Sequence, residues 1–319
     1  MTTLLNAAPP AEPLPSVGRS AFLSTALGWA GRKVFFEPLE GNHGDRLIRL
    51  GARRVMEQAG CLVVDSPGDA EQIFINGGGA MNDIWKAGFG VLERYRRDFP
   101  NTPITVGPST YLVRDTDFPT LCAAGRAPLH FFARDERSAD ILRAQPVDAA
   151  ISVTVSQDLA FELRGSALVE ELEADSADEH VLVCLRKDKE GSAGLLTHTK
   201  GTWLPRVVRR PLSRLRDRLV AAGQRDQVSE LIRSAGVPAD VPRLVRDVSV
   251  SVGWEDFTHA ISRARLVITD RLHVAILGYL LDKPVFLGQG CYHKTRGVYE
   301  LSMTHPASRV RMIDEGTTS

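Results

Sequence analysis

The chain has no surplus of charge: 39 lysines and arginines face 39 aspartates and glutamates across 319 residues. Without a net field, nothing at the level of composition argues for nucleic acid as a partner. Long apolar runs are missing too. The longest, such as "VAILGYLL", fall well short of the roughly 18 residues that a membrane span requires. The start, "MTTLLNAAPPAEPLPSVGR", has neither the basic head nor the apolar stretch of a secretory signal. Cysteine is scarce. Cys61, Cys122, Cys184 and Cys291 lie far apart and form no CxxC pair, which implies reduced thiols in a cytoplasmic protein. The eight histidines show neither HExxH nor Cys/His spacing, so no metal site is expected. A GxGxxG fingerprint and a P-loop are absent, and no short repeat suggests a solenoid. The basic run "RVVRRPLSRLRDR" lacks interleaved aromatics and fits a solvated helix face better than a nucleic-acid patch.

What is present is the profile of a soluble globular protein, 43% hydrophobic and 24% charged, long enough for two domains of roughly 150 residues. Short β-rich runs alternate with helix-length segments. "KVFFEPL", "CLVVDS", "EQIFIN", "TPITVGPST", "LHFFARD" and "AISVTVSQD" read as strands, with helices such as "DRLIRLGARRVMEQAG" and "ERSADILRAQ" between them. The acidic segment "GSALVEELEADSADEH" breaks this rhythm and suggests a domain boundary. The pattern then resumes with "VLVCLRK", "VSVSV", "RLVITD" and "KPVFLG" as strands. Strands joined by crossover helices imply parallel, doubly wound sheets. The expected fold class is therefore α/β, with two Rossmann-like domains facing across a cleft: an extended or mobile arm over 1–30, an N-terminal domain over 31–165, a linker over 166–180 and a C-terminal domain over 181–319.

In such sheets ligands bind at the carboxyl ends of the strands, and three strand ends stand out. In "EPLEGNHGDRLI" the glycines, Gly44 among them, permit a tight turn beside Asn42, and Asp45 falls where it could cap a helix or act on a hydroxyl. In "IFINGGGAMNDIW" three consecutive glycines, including Gly77 and Gly78, suggest close backbone approach to a ligand, with Asn82 and Asp83 as caps or contacts. In "LVITDRLHVAIL" Asp270 falls near the N-cap, and Arg271 and His273 fall in the first turn. Cations there oppose the helix dipole, so a negative ligand is expected to answer them. Arg186 in "VLVCLRKDKE" and Lys294 and Arg296 in "CYHKTRGVYE" lie at further strand ends and could add contacts to a carboxylate or phosphate.

Taken in order, "GNHGDRLI", "NGGGAMND", "ARDERSADIL", "SQDLAFEL", "VLVCLRKD", "VITDRLHVAILGYLLDKPVFLG" and "KTRGVYE" resemble the polysaccharide pyruvyl transferase family. The resemblance implies a GT-B-like fold and transfer of a pyruvyl group from phosphoenolpyruvate, as a ketal, onto two hydroxyls of a sugar. It also implies that Arg271, His273 and Arg186 contact phosphoenolpyruvate. His273 is then the candidate acid and Asp45 the candidate base, with Asp83 in reserve. No cofactor is expected beyond this donor. The acceptor would be a sugar or lipid-linked glycan, and the latter would bring the protein to a membrane surface without insertion. Val274 stands where the family has glycine, which is expected to narrow the pocket. The rival readings are a GT-B glycosyltransferase that uses a nucleotide-sugar and a non-catalytic sugar- or anion-binding relative.

Overall fold

The computed structural model describes residues 20–146, 150–186 and 225–313. The "DKEGSAGLLTHTKG" loop and the basic run that follows it lie outside the described residues, as do residues 1–19 of the expected arm. The chain divides into two compact units. One takes the chain as far as Glu171 together with Arg296–Pro306, and the other takes Leu172–Thr295 together with the chain from Ala307.

The first unit is built on six parallel strands: β1 (Lys33–Glu37), β2 (Leu62–Val64), β3 (Gln72–Ile75), β4 (Ile104–Ser109), β5 (Leu129–Ala133) and β6 (Ile151–Val155), in the order β2-β1-β3-β4-β5-β6. Alternation along β3 shows both faces covered. Phe74 packs into one cluster with Val34, Ile48, Ala52 and Val55, while Ile73 and Ile75 pack into another with Phe89, Leu92 and Phe131. The first cluster includes helices α1 (Ala21–Ala26) and α2 (His43–Ala59). The second is closed by α3 (Ala87–Asp98), α4 (Phe118–Ala123) and α5 (Glu136–Arg143).

Two expectations are corrected here. The arm does not extend to residue 30: Ser20 caps α1, and Phe22, Ala26 and Trp29 are buried in the core, where Phe22 meets Trp29, Phe74 and Phe132. Burial of three apolar side chains anchors what composition alone presented as mobile. The stretch 166–180 holds helix α6 (Ala167–Ala174), and the boundary between units falls inside that helix.

The second unit has five parallel strands, β7 (His180–Cys184), β8 (Arg243–Val245), β9 (Ala264–Thr269), β10 (Val285–Leu287) and β11 (Val310–Met312), in the order β11-β10-β9-β7-β8. Helix α7, over 225–234, packs on one face through Ile232. It is followed by α8 (Val248–Ser251), α9 (Trp254–Ser262), α10 (Leu272–Leu280) and α11 (Lys294–Ser302). The "VSVSV" segment is helical where its period-2 pattern suggested a strand; the strand is the preceding β8, which pairs with β7 from Val181↔Arg243 to Val183↔Val245. After β10 the chain forms one more strand, β11, and α11 lies between them. From Arg296 onward α11 belongs to the first unit, where a Cβ on Gly297 would come within 2.6 Å of the Asp135 Cβ. Among the described residues no helix is long and apolar enough to cross a membrane.

Candidate functional site

Counted within each unit, the strand order is 2-1-3-4-5, with a sixth strand added in the first. In this doubly wound order ligands bind where the order reverses, between the first and third strands. The reversals are β1/β3 and β7/β9, and the singled-out motifs follow those four strands.

At β7/β9 the register Cys184↔Thr269 brings Arg186 and Asp270 to one edge. The Thr269 hydroxyl donates to the Cys184 carbonyl at 2.7 Å and accepts from the Arg271 amide at 3.0 Å, which fixes the departing chain. Asp270, 3% exposed, accepts from the Arg186 amide at 2.8 Å through Oδ1. Its carboxyl is pushed up to about 6, chiefly by burial, against the opposing pull of the Arg186 amide and the charges of Arg186 and Arg271. Asp270 thus does not cap α10; Arg271 occupies the N-cap position, with extended backbone and no capping side chain.

Arg271 itself is 6% exposed, and its guanidinium forms a fork on Asp247, Nε to Oδ1 at 3.2 Å and Nη2 to Oδ2 at 2.5 Å. The expectation that only a ligand could answer this cation is therefore overturned. A carboxylate delivered by the end of β8 already does so, as a buried charge requires. Asp247 also faces Cys184, Sγ to Oδ1 at 3.8 Å, and burial together with that carboxylate pushes the thiol up to about 12. Sequence reasoning missed Asp247 because β8 was unrecognised; an acid two residues past a short apolar run was the available signal.

His273 follows in the first turn of α10 and is half-buried. Lys294 opens α11 and is buried, with Nζ 5.5 Å from the Tyr292 ring centroid. Arg296 pairs with Glu300 at 3.7 Å. Val274 is fully buried, so its branched side chain packs into the interior of the unit and lines no open pocket.

At β1/β3 the local geometry is a capping box. The Asn42 side chain accepts from the Gly44 amide at 2.7 Å, and Asp45 Oδ2 accepts from the Asn42 amide at 2.8 Å. The second oxygen, Oδ1, faces the glycine loop, 3.9 Å from where a Cβ on Gly78 would stand. Gly78 has φ +126°, and a Cβ on Gly77 would meet the Pro108 carbonyl at 2.3 Å, so both positions demand glycine. The glycines serve a packing need: the loop continues the sheet, with Gly78 N to Pro108 O and Thr110 N to Gly78 O both at 3.0 Å. Asn82 and Asp83 are committed to the fold. Asn82 Oδ1 accepts from Ile84 and Trp85, and Asp83 accepts from the amides of Arg114, Asp115 and Thr116 and from the Thr116 hydroxyl. Those donors draw the Asp83 carboxyl below the usual range despite partial burial. The reserve base is thereby occupied, while Asp45 keeps an oxygen toward the loop.

Beyond β5 and β6, Arg134 and Asp158 form a fully buried pair at 2.5 Å, and Arg134 also donates to Thr110 at 2.9 Å. Asp135 accepts from the Ser138 amide at 2.7 Å and its hydroxyl at 2.8 Å, anchoring α5. These residues of "ARDERSADIL" and "SQDLAFEL" act as scaffolding. Among the described residues no cluster of His, Cys, Asp and Glu could hold a metal ion.

A family model described as polysaccharide pyruvyl transferase matches residues 42–287, most of the chain and both reversals. Among solved structures, a functionally uncharacterized protein from Klebsiella pneumoniae subsp. pneumoniae NTUH-K2044 superposes with a TM-score of 0.60 at 16% identity, covering 92% of this chain and 96% of its own. At that identity the likeness shows the fold, two α/β domains consistent with the GT-B type. No curated protein matches the sequence.

Proposed function

The chain belongs to the polysaccharide pyruvyl transferase family, and on that premise we propose that it moves the pyruvyl group of phosphoenolpyruvate onto two hydroxyls of a sugar in an exopolysaccharide or cell-surface glycan precursor, forming a ketal. The observation that carries this reading is the cationic set Arg186, Arg271 and His273 at the β7/β9 reversal. A small donor with a phosphate and a carboxylate suits a guanidinium held in a fixed plane at the start of a helix. Lys294 is assigned to the same donor. The acceptor is assigned to the β1/β3 reversal, where Asn42, Gly44, Gly77, Gly78, Asn82 and Asp83 shape the loop and Asp45 serves as base.

In this mechanism His273 protonates the methylene carbon, leaving an oxocarbenium-like C2. Asp45 takes the proton of one acceptor hydroxyl as its oxygen bonds to C2. The C2–O bond to phosphate then breaks, phosphate departs with that electron pair, and the second hydroxyl closes the ketal. The two hydroxyl protons balance the new methyl hydrogen and the proton on the released phosphate. No cofactor beyond the donor takes part. We place the reaction in the cytoplasm, with membrane contact arising only through a lipid-linked acceptor.

The test is thermal-shift titration followed by turnover. Phosphoenolpyruvate should stabilise the protein and UDP- or GDP-sugars should not, and a galactoside, mannoside or N-acetylhexosamine acceptor should give phosphate release and a product of matching mass. Stabilisation by nucleotide-sugars alone would sink the reading. Binding of phosphoenolpyruvate without phosphate release across the acceptor panel would make the protein a binding relative.

A further inference from the structure

We propose that the second unit carries a further small-molecule site: a cationic cavity at the amino edge of its sheet that binds the phosphate group of a small, soluble polyol phosphomonoester. The cavity measures about 300 Å³, and the charged side chains that line it are Asp178, Arg265, Asp282, Lys283 and Arg309. That volume suits a small ligand. Strand direction fixes its place. Asp178 precedes β7, Arg265 is the second residue of β9, Lys283 leads into β10, and Arg309 leads into β11. These strands are parallel, so the cavity lies at the edge opposite to the one that holds Arg186 and Asp270. Hydrogen bonds beyond the strand starts hold this edge in shape. The Val285 amide donates to the Arg309 carbonyl at 3.0 Å, the Val267 amide to the Pro284 carbonyl at 2.9 Å, and the Glu179 amide to the Arg263 carbonyl at 2.9 Å.

Arg265 carries the argument. It forms no hydrogen bond or ion pair with any described residue, although its Nε is buried. The Nε of Arg309 is likewise buried without an acceptor, while Nη1 donates to the Asp282 carbonyl at 3.1 Å. Lys283 donates to the Ala177 carbonyl at 2.9 Å and stands 3.7 Å from Asp178. Burial draws its ammonium below the ordinary value against the opposing pull of Asp178. The carboxylates sit at the rim and the cations deeper: the side chains of Asp178 and Asp282 are 67% and 43% exposed, those of Lys283 and Arg309 6% and 26%. Buried donors that no acceptor answers are costly, and an anion that accepts from them recovers the cost.

The donor geometry selects the anion. Two planar guanidinium forks and a point-charge ammonium suit a tetrahedral oxyanion, which offers acceptors in several directions, better than a planar carboxylate. The rim carboxylates suit hydroxyl donors on the rest of the ligand. The apolar lining is Leu281 and Pro284, with no aromatic ring, so a nucleobase would find no stacking surface. This inference stands apart from the transferase reading, whose donor and acceptor are both assigned to the carboxyl ends of strands.

Full-length wild type, Arg265→Met and Arg265→Lys would be titrated by calorimetry with inorganic phosphate, glycerol 3-phosphate and glucose 6-phosphate. The phosphoenolpyruvate thermal shift and the urea midpoint would be recorded on the same samples. The expected result is binding of at least one organic phosphate by wild type, at least tenfold weaker binding by Arg265→Met, an intermediate affinity for Arg265→Lys, and an unchanged phosphoenolpyruvate shift. Because Arg265 has no protein acceptor, Arg265→Met should keep or raise the urea midpoint in phosphate-free buffer. Affinity within twofold of wild type in Arg265→Met would overturn the proposal, as would a lowered midpoint or the absence of organic phosphate binding by wild type. Arg265-dependent co-sedimentation with phosphatidylcholine vesicles that contain phosphatidic acid, without binding of the soluble phosphates, would give the cavity to a membrane surface and overturn the soluble ligand. An absent phosphoenolpyruvate shift in wild type with Arg265-dependent binding of an organic phosphate would remove the donor reading and leave the cavity site standing.

Discussion

The two units share one strand order and differ in what they set at its reversal. β1 and β3 end in glycines, side-chain amides and one carboxylate oxygen turned to the glycine loop, Asp45 Oδ1; β7 and β9 end in Arg186, Asp270, Arg271 and His273. Each unit also buries an Arg–Asp pair, but in different places. Arg134–Asp158 lies beyond β5 and β6, away from the reversal, whereas Arg271–Asp247 stands on it. The fold supplies the address, and the loops supply the charge.

The comparison can be broken most forcefully at the buried pairs. Arg134→Met leaves Asp158 uncompensated in a dry interior and should cost about 3–5 kcal/mol in urea unfolding. It should leave the phosphoenolpyruvate shift of the surviving folded protein intact; loss of that shift would show that the scaffold pair is no mere scaffold. Arg271→Ala should cost about 3 kcal/mol for the same reason, since Asp247 is almost equally buried, and should also abolish the phosphoenolpyruvate shift. An Arg271→Met/Asp247→Asn double variant should recover stability without recovering the shift, which separates the two roles of the guanidinium.

Asp270 offers a test through pH. Its carboxyl is raised to about 6 from 3.8, so the folded chain holds a proton there that the unfolded chain has released. The stability this contributes is present at acid pH and is lost as pH rises through roughly 4 to 6. Asp270→Asn should flatten that slope and gain about 2 kcal/mol over wild type at neutral pH, read from unfolding curves across the window. A slope unchanged by the substitution would mean that the carboxyl is not held up by burial. The smallest effect on stability is expected at Asp45→Asn, about 1 kcal/mol for a weakened capping box. Turnover with acceptor should nonetheless fall by at least tenfold, with donor stabilisation unchanged.

The architecture was largely legible because both sheets are parallel: nearly continuous apolar strands such as "QIFI" and "RLVIT", bounded by helices with three- and four-residue periodicity, leave few alternatives. The glycine and charge motifs at the strand ends were legible for the same reason. What escaped was set by tertiary contact. Segment "VSVSV" alternates like a strand, yet the ladder had already been completed by the three residues of β8. Asp247 was invisible without β8, and with it the partner of Arg271. Phe22 and Trp29 lie in a stretch whose proline content suggested an arm, and contacts distant in the chain hold it down, among them their rings against Phe74 and Phe132 and the Phe22 amide on the Ser156 hydroxyl. Asn82 and Asp83 were recognised as cap formers, but the commitment of Asp83 to the 112–116 backbone depends on a loop thirty residues away in the chain.

Both sheets also end in three-residue strands on the side of their second strand, β2 and β8, and each shows apolar side chains to solvent: Leu62 and Val63 on one, Val245 on the other. A ladder of three residues is too short to template another chain firmly, which is how edges are kept from pairing across molecules. Brevity of this kind guards against association while leaving the exposed side chains sticky. At the concentrations used for crystallisation or NMR, self-association should therefore begin at these rims, and Leu62→Lys or Val245→Lys is the economical way to keep the protein in solution without touching either reversal.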